Sequence, residues 1–304
     1  MDTVSAVMII LNYNDGQTAA KLALAVKNYA CLNKIIVVDN HSSDDSLAYL
    51  RNTLLSPACG AGEITAAVQK ENRITVIQAP ENGGYAKGNN YGIRYALSTG
   101  TPDYLFIANP DIMVSEQTLD AILERMSRHP EYGAMSCLVN QGYNVWRLPG
   151  FLGMIESLFL IWFNLDKRAI KKRLSASIHS LETVGVVEGS FFCMRKTAYE
   201  AIGGFDERTF LYAEEIILSK RLAEHGSKVG ILTKERYDHF HSVSIKKAYR
   251  SSKARAFPNF YRSFHIYNRY YLHTNPLQDA VFAAAYGLAY AERVIYDLFM
   301  RLRG

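Results

Sequence analysis

Apolar runs of strand length alternate with segments of helical spacing through the first half of the chain, and this alternation limits the possible folds more than any other feature. Strands that alternate with helices build a mostly parallel sheet whose right-handed crossovers place helices on both faces. The pattern therefore predicts a doubly wound α/β fold. The apolar runs are residues 6–11, 34–38, 74–77 and 104–108, and the helical segments are residues 18–30, 46–54 and 85–97.

Polar residues follow three of these predicted strands and are expected to meet at one edge of the sheet. Asp39 follows the second strand, a glycine-rich segment at 82–90 follows the third, and Asn109-Pro110-Asp111 follows the fourth. Open α/β sheets bind their ligands outside the carboxyl ends of the strands. A carboxylate at Asp111 can coordinate a hard divalent cation, and that cation can hold a diphosphate. The alternative is a turn that ends the strand, with a solvated aspartate.

The other candidate residues each have a functional and a structural interpretation. Asp39 can accept hydrogen bonds from a base edge or a ribose hydroxyl, or its loop can cap the next helix. The glycine-rich segment can place backbone amides and Lys87 near a phosphate, or it can form a tight turn. Glu214 and Glu215 suit the start of a helix through its dipole, and either can also act as a general base. His239 can be a metal ligand, a phosphate donor or a packed side chain.

The second half of the chain is less regular. It contains further predicted helices and strands, and it ends in a basic, tyrosine-rich extension with a long final helix. The predicted helices are residues 117–127, 197–202, 214–225 and 277–302. The predicted strands are residues 133–139 and 228–232, together with 184–188 and 190–195 as a strand pair or one bulged strand.

The composition allows a large core and excludes several classes of protein. Apolar residues make up 49% of the chain, which rules out a disordered chain. A net charge of +5 suits a nucleotide, a diphosphate or an anionic membrane surface, and the lack of any DNA- or RNA-binding signature excludes a nucleic-acid partner. The four cysteines are scattered, which predicts free thiols in a reducing compartment, the cytoplasm. Neither a signal peptide nor a membrane-spanning stretch is expected.

One apolar segment suggests contact with a membrane surface. Residues 151–165 are densely apolar and aromatic, and basic residues follow at 167–173. This composition suits an interfacial segment over anionic lipid, and it equally suits a core helix. Basic residues at 246–255 and tyrosines at 261–271 add a combination that suits a lipid headgroup boundary. We therefore expect peripheral contact with the inner face of the cell membrane.

Short motifs are spread over residues 5–245. The motifs are LNYN at 11–14, VVDNHSSD at 37–44, ENGGYAKGNNYGI at 81–93, NPD at 109–111, EGS at 188–190, GGFDERTFLYAEE at 203–215 and HFHSVS at 239–244. Each motif is weak alone, but they occur in the order in which family 2 glycosyltransferases carry them. On that shared order the chain resembles the rhamnosyltransferase-like branch of that family.

The resemblance implies a GT-A fold, a nucleotide-diphosphate-sugar donor and an inverting mechanism. Asp111 would match the last acid of the metal-binding DxD motif, with Mg²⁺ or Mn²⁺ as the ion, and His239 would match the late histidine that contacts metal or diphosphate. Glu215 falls where the family usually has an aspartate base. Glu214 also remains a candidate base, because a further acid of the family pattern is Ile217 here. The resemblance implies these donor-binding residues: Leu11, Tyr13, Asn14, Asp39, Asn82, Lys87, Asn90 and Asn109.

The resemblance also implies a domain organisation and a function. Residues 1–245 would form the GT-A domain, with a nucleotide-binding half at 1–115 and an acceptor half at 116–245, followed by the helical extension at 246–304. The expected reaction moves a sugar from dTDP-rhamnose or another nucleotide-diphosphate hexose to a lipid-linked saccharide, in the biosynthesis of a surface polysaccharide such as O-antigen or capsule. The alternative is a non-catalytic module that binds sugar nucleotides within a polysaccharide assembly complex.

Overall fold

The computed structural model describes residues 5–55, 73–141, 143–240 and 253–303. Within these ranges a mixed sheet forms the centre of the molecule, and helices cover both of its faces. The strands are β1 (Ala6–Asn12), β2 (Lys34–Asp39), β3 (Ile74–Gln78), β4 (Tyr104–Ala108), β5 (Ile112–Met113), β6 (Tyr132–Val139), β7 (Val145–Trp146), β8 (Leu181–Val184), β9 (Val186–Val187), β10 (Phe191–Arg195) and β11 (Lys228–His239). The helices are α1 (Gly16–Val26), α2 (Ser46–Leu54), α3 (Gly84–Thr99), α4 (Glu116–Arg128), α5 (Phe151–Leu158), α6 (Leu160–Ser175), α7 (Lys196–Ala201), α8 (Glu214–Glu224), α9 (Lys253–Tyr271) and α10 (Pro276–Arg303).

The strand order of the main sheet is β3-β2-β1-β4-β10-β6-β11-β5, and β8 also pairs with β11. The first four strands of this order are parallel, as predicted, so their carboxyl ends lie at one edge. Asn12 and Asp39 are direct partners at the ends of β1 and β2. Strand β10 runs antiparallel to both β4 and β6 and so brings the loop before it, residues 188–190, to the same edge. The predicted doubly wound α/β fold is confirmed.

The parallel strands are buried on both faces, and this explains why they appear in the sequence as unbroken apolar runs. Met8 and Ile10 of β1 face a core formed with α1, α2 and α4. Val7 and Ile9 face the opposite core, formed with α3, α7 and α8. The two cores fix the register of β1, because a shift by one residue would exchange the two faces.

Several elements differ from the predicted ones where the local pattern is ambiguous. Strand β11 continues past the predicted end at residue 232, because it pairs on with β6 and β5 through a polar, irregular stretch. The apolar segment at 151–165 forms two helices that meet at Phe159, whose backbone is extended. Helix α9 is absent from the prediction, since tyrosines and Pro258 obscure its helical spacing.

The described part of the C-terminal extension packs onto the main domain. Phe257 and Phe264 of α9 and Phe282 of α10 share a core with Ile216 and Ile217 of α8. The extension therefore contacts the helix that carries the two acidic residues. Residues 246–252 lie outside the described ranges, and the division at residues 115 and 245 stays a prediction.

The cysteines in the described ranges are free, as the sequence predicted. Cys137 and Cys193 are buried and Cys31 is half-buried, while Cys59 lies outside the described residues. Across the same ranges, none of the helices combines the length and the apolar character that crossing a bilayer requires.

Candidate active site

The carboxylate of Asp39 fixes the loop after β2 against the end of β1. It is fully buried, and its Oδ1 accepts hydrogen bonds from Asn12 Nδ2 at 3.0 Å and from Ser42 Oγ at 2.6 Å. Asp39 does not cap α2, because the first amide of that helix, on Ser46, donates to Asp44 Oδ1. Asp44 therefore makes the contact with the start of α2 and Asp39 does not, and a contact between Asp39 and a nucleoside stays a prediction.

The loop after β1 lies beside this carboxylate. Asn14 adopts a left-handed backbone conformation, and its Oδ1 accepts a hydrogen bond from the Ser43 amide at 2.8 Å. Tyr13 is exposed at the same edge, and Leu11 is half-buried. The structure thus places Leu11, Tyr13 and Asn14 at the same edge as Asp39, and their donor-binding roles stay predictions.

The glycine-rich segment forms the tight turn that the sequence allowed as an alternative. Asn82 Oδ1 accepts hydrogen bonds from Asn40 Nδ2 at 2.9 Å and from the Gly84 amide at 3.2 Å. Gly84 has a φ of +83°, and a Cβ there would lie 2.0 Å from the carbonyl oxygen of Phe210. Lys87 pairs with Glu81 at the surface. The turn therefore packs the start of α3 against the loop at 203–213, the connection between α7 and α8.

Asn90 contributes to the same packing through its whole side chain. Its Nδ2 donates to the Phe205 carbonyl and to Glu207 Oε1, each at 2.9 Å. Its Oδ1 accepts from the Tyr199 hydroxyl and the Phe205 amide, each at 2.9 Å. Because these four bonds use the amide fully, Asn90 holds the 203–213 loop in this structure rather than presenting free groups to a donor.

Asp111, His239 and Glu188 form an acid–histidine cluster beyond β4, in which Asp111 and His239 are buried and Glu188 is half-buried. Asp111 Oδ2 lies 3.5 Å from His239 Nε2, and Glu188 Oε1 lies 3.8 Å from His239 Nδ1. The amide of Phe240 donates to the Asp111 carbonyl at 2.9 Å, which holds the end of β11 beside the Asn109-Pro110-Asp111 turn. Although burial opposes protonation, the two acids raise the pKa of His239 above its ordinary value.

The cluster suits a divalent cation that also takes ligands from a bound substrate. Asp111 supplies a hard carboxylate oxygen and His239 a neutral nitrogen once its proton is displaced. Within the described ranges, no three His, Cys, Asp or Glu side chains are arranged to hold a metal by themselves. A cation at this edge would therefore need oxygens from another molecule, and diphosphate oxygens are such ligands.

The acid pair at the start of α8 shares a loop with that cluster. Glu215 is half-buried, and its Oε1 accepts a hydrogen bond from the Gly189 amide at 3.2 Å. Tyr85 Oη donates to the Gly189 carbonyl at 2.6 Å, and the amide of Asn109 donates to the Ser190 carbonyl at 2.8 Å. The loop at 188–190 thus contacts the turn that carries Asp111 on one side and the acid pair on the other.

Burial changes the protonation of the acid pair. It raises the pKa of Glu214 to about 8, with a further rise from the neighbouring Glu215 carboxylate, and it also raises the pKa of Glu215. Two adjacent carboxylates in a buried site do not both ionise without cost, so the pair favours a state that keeps one proton near neutral pH.

The raised pKa of Glu214 predicts a pH dependence of stability. The folded state binds this proton more tightly than the unfolded state, whose glutamate titrates near 4.5. The free energy of unfolding is therefore expected to fall as pH rises from about 4.5 to about 8, and Glu214→Gln should reduce that slope. Urea denaturation from pH 5 to pH 8.5 measures this slope of the free energy of unfolding against pH.

Glu224→Gln, at the exposed end of the same helix, is the control and should keep the wild-type slope. An unchanged slope in Glu214→Gln would contradict the assignment.

Ile217 occupies the position where the resemblance expects a further acid. Its side chain is 1% exposed and lies in the core that α8 shares with α9 and α10. A carboxylate there would be desolvated without a partner. The departure from the family pattern is therefore explained by the extension that covers this side of α8.

Tyr85, Glu188 and Gly189 lie within the motifs at 81–93 and 188–190, but the sequence alone predicts no role for them. Their contacts depend on the antiparallel strand β10, which places the 188–190 loop at the carboxyl end of β4. The only sequence signal was their position inside quoted motifs, since pairing across the sheet is not visible in local patterns.

The strand order, together with acids beyond β4 and at the start of α8, defines the class: this is a GT-A fold, the architecture of nucleotide-sugar glycosyltransferases. The chain belongs to glycosyl transferase family 2, because the model of that family, Glycosyl transferase family 2, matches residues 7–203. It is 30% identical over 179 residues to the N-acetylglucosaminyl-diphospho-decaprenol L-rhamnosyltransferase of Mycobacterium tuberculosis, a match that covers 54% of this chain and 58% of the relative. The chain thus spans somewhat more than half the length of this curated relative.

Two solved structures share the fold. GalNAc-T7 with UDP, GalNAc and Mn²⁺ superposes with a TM-score of 0.60 at 12% identity, covering 98% of this chain and 57% of that one. The mannosyltransferase PcManGT from Pyrobaculum calidifontis, in complex with GDP-Man and Mn²⁺, gives a TM-score of 0.54 at 18% identity and covers 98% and 80% of the two chains. At these identities the likeness establishes the fold alone.

Proposed function

We propose that the chain is an inverting glycosyltransferase that moves a sugar from a nucleotide-diphosphate donor to a hydroxyl group of a saccharide. The observation that supports this proposal is the position of the 188–190 loop, which contacts the acid–histidine cluster and Glu215. Glu188 lies beside His239, which in turn lies beside Asp111, and the Gly189 amide donates to Glu215. A site for the leaving diphosphate and a base for the acceptor are therefore neighbours across one loop, as in-line transfer requires.

Glu215 is the proposed base and Glu214 the residue that supports it. Glu215 is the more accessible of the two and is oriented by the Gly189 amide, whereas Glu214 is 5% exposed and lies beside Thr209 and the Tyr212 backbone. In the reaction Glu215 accepts the proton of the acceptor hydroxyl as its oxygen bonds to the anomeric carbon. The bond from that carbon to the diphosphate breaks on the opposite face, and its electrons leave with the diphosphate.

Asp111 and His239 are the proposed ligands of a Mg²⁺ or Mn²⁺ ion. Such an ion, when bound, supplies positive charge to the departing diphosphate. GalNAc-T7 and PcManGT were both solved with Mn²⁺, which supports the choice of a divalent cation. Asp39 holds the loop on which the nucleoside is proposed to lie, and Asn109 connects this edge to the 188–190 loop. The donor-binding roles of Leu11, Tyr13, Asn14, Asn82 and Lys87 belong to the same proposal.

The donor and acceptor are proposed from the curated relative. Its name specifies L-rhamnose and an acceptor linked through diphosphate to decaprenol. By similarity we propose dTDP-rhamnose or another nucleotide-diphosphate hexose as donor and a lipid-linked saccharide as acceptor, in the cytoplasmic assembly of a surface polysaccharide. The competing proposal is a non-catalytic module, which two departures from the family pattern favour: the isoleucine at 217, for which core packing accounts, and the glutamate at 215 in place of aspartate.

A lipid-linked acceptor requires the enzyme to approach a membrane, and α5 and α6 are the proposed contact surface. Leu152, Trp162 and Leu165 are exposed there, and Arg168 and Arg173 are exposed on α6. Large exposed apolar side chains beside cations suit an anionic headgroup region. The core-helix interpretation of residues 151–165 holds for Met154 and Leu158, which are buried in a core, and interfacial contact by the exposed side chains stays a proposal.

Vesicle sedimentation tests the membrane contact. At low salt the protein should sediment with anionic vesicles and stay in solution with neutral ones. Trp162→Ala combined with Arg168→Ala should weaken sedimentation by about tenfold, because each cation near such a surface contributes about 1 kcal/mol. Tyr49→Ala, an exposed aromatic residue on α2, serves as the control. Equal sedimentation of both variants, or none by the wild type, contradicts the contact.

Ligand-dependent stability together with a transfer assay tests the proposed function. Nucleotide-diphosphate sugars should raise the melting temperature more in the presence of Mn²⁺ than in its absence, because a ligand of the native state stabilises it. Nucleoside diphosphate should then be released on addition of a saccharide-diphosphate-lipid acceptor. Stabilisation without any release, across a panel of donors and acceptors, would favour the non-catalytic module instead.

A further inference from the structure

The backbone that starts α8 is held in an uncommon conformation. Tyr212 and Ala213, the two residues before the acid pair, both lie in the left-handed region, with φ values of 76° and 69°. Each non-glycine residue in that region costs about 1–2 kcal/mol. Two in succession persist only where surrounding contacts hold them, so the orientation of Glu214 and Glu215 depends on what holds this turn.

Helix α9 of the C-terminal extension supplies those contacts on one side. The ring of Tyr212 stacks on that of Phe260, with centroids 3.7 Å apart and planes 12° from parallel. Ser263 Oγ donates to the Leu211 carbonyl at 2.8 Å. One turn earlier in the loop, the Tyr271 hydroxyl donates to Asp206 Oδ2 at 2.6 Å. Three positions of α9 thus contact the 203–213 loop along its length.

The opposite side of the same loop is held by α3. Asn90 contacts Phe205 and Glu207, and the Tyr85 amide donates to the Phe210 carbonyl at 3.1 Å. The loop is therefore fixed between a helix of the nucleotide-binding half and a helix of the extension. Tyr212 is the last side chain of the loop before Ala213 and the acid pair, and its stacking partner comes from the extension.

We propose that Phe260 and Ser263 are positioning residues for the transfer reaction: α9 holds Tyr212 and Ala213 in the left-handed turn that aims Glu215 at the acceptor. This inference rests on the proposed function. A base displaced by about one ångström can lose about 10²-fold in rate, so loosening the turn should affect catalysis more than donor binding. The extension is then part of the catalytic apparatus and not an appendage to it.

Steady-state kinetics of Phe260→Ala, Phe260→Tyr and Ser263→Ala test this inference. We expect kcat of Phe260→Ala to fall by about 10²-fold with the donor KM within twofold of wild type, and the conservative Phe260→Tyr to restore most of the rate. Ser263→Ala should cause a smaller loss in kcat. Arg262→Ala, on an exposed position of α9, is the matched control and should behave as wild type.

Two further measurements separate positioning from a general loss of structure. The rising limb of the kcat–pH profile should shift in Phe260→Ala, because the surroundings of the acid pair change, whereas partial unfolding would only lower the fraction of sites that bind nucleotide. Amide hydrogen exchange at residues 211–216 should also speed up in Phe260→Ala, with the sheet strands unchanged.

The outcomes distinguish this inference from the proposed function. If the wild type transfers sugar and Phe260→Ala keeps its kcat, pH limb and exchange rates, the inference is wrong. If Phe260→Ala loses binding sites in proportion to its rate, the role of α9 is only structural and the inference is likewise wrong. If the wild type transfers no sugar, the proposed function fails, and unchanged exchange at 211–216 would still overturn the packing argument on its own.

Discussion

Replacing Glu215 by glutamine is expected to lower kcat by about 10²–10⁴-fold, the range that a positioned general base contributes. Glutamine keeps the size of the side chain and can still contact the Gly189 amide, so the loop geometry should survive. The substitution removes only the ability to take the acceptor proton. Donor KM and the donor-induced rise in melting temperature should therefore stay close to the wild-type values.

Glu214→Gln is the matched comparison for this variant. Glu214 is buried under its own loop, so its loss should reduce kcat less than the loss of Glu215. In the wild type, kcat/KM should rise with pH as the pair loses its shared proton, and that limb should disappear in Glu215→Gln. A larger defect in Glu214→Gln than in Glu215→Gln would reverse the assignment within the pair. Wild-type turnover in both variants would remove the pair from the mechanism.

Glu215→Asp tests the length of the side chain at this position, because it keeps the carboxylate and shortens the chain that carries it. Aspartate is the residue that the family resemblance expects there, and it is shorter by one methylene. In this chain Glu215 spans the distance to the Gly189 amide from a turn fixed by two left-handed residues. We expect the aspartate variant to lose the Gly189 contact and a large part of its rate while keeping donor affinity, because attack geometry is sensitive to small displacements.

The sheet edge that carries Asp39 and Asp111 could be predicted from the sequence because local patterns determine it. Apolar runs followed by polar turns placed Asp39 and Asp111 at the ends of parallel strands, and parallel strands end at one edge of a sheet. The contacts that complete the site arise from chain segments far apart in sequence. Tyr85 and Gly189 are joined only because β10 runs antiparallel beside β4.

The C-terminal extension could be predicted only in part, for a similar reason. Its final helix was evident from helical spacing, but α9 contains Pro258 and many polar aromatic residues, and its pattern does not indicate which surface it covers. The stacking of Phe260 on Tyr212 depends on tertiary packing. The same packing buries Ile217. The isoleucine that stands where the family pattern has an acid is therefore a core residue beneath the acid pair.

Replacing Asp111 by asparagine is expected to lower kcat by about 10²-fold or more and to abolish the effect of Mn²⁺ on donor binding. Asparagine is nearly isosteric and retains the backbone contact with Phe240, but it lacks the negative charge that a divalent cation requires. Stabilisation of the developing diphosphate charge contributes several kcal/mol in metal-assisted reactions, so the loss should be felt mainly in the chemical step.

Calorimetric titration with a nucleoside diphosphate, with and without Mn²⁺, measures the effect on binding. The wild type should bind more tightly with Mn²⁺, and Asp111→Asn should give equal affinities in both conditions. His239→Gln should give an intermediate result, because Asp111 is retained. Asp120→Asn is the matched control, because Asp120 is an exposed aspartate on α4, outside the proposed site. If Asp111→Asn keeps a Mn²⁺-dependent gain in affinity, the cation does not bind at the turn after β4. The proposed position of the leaving diphosphate would then be wrong as well.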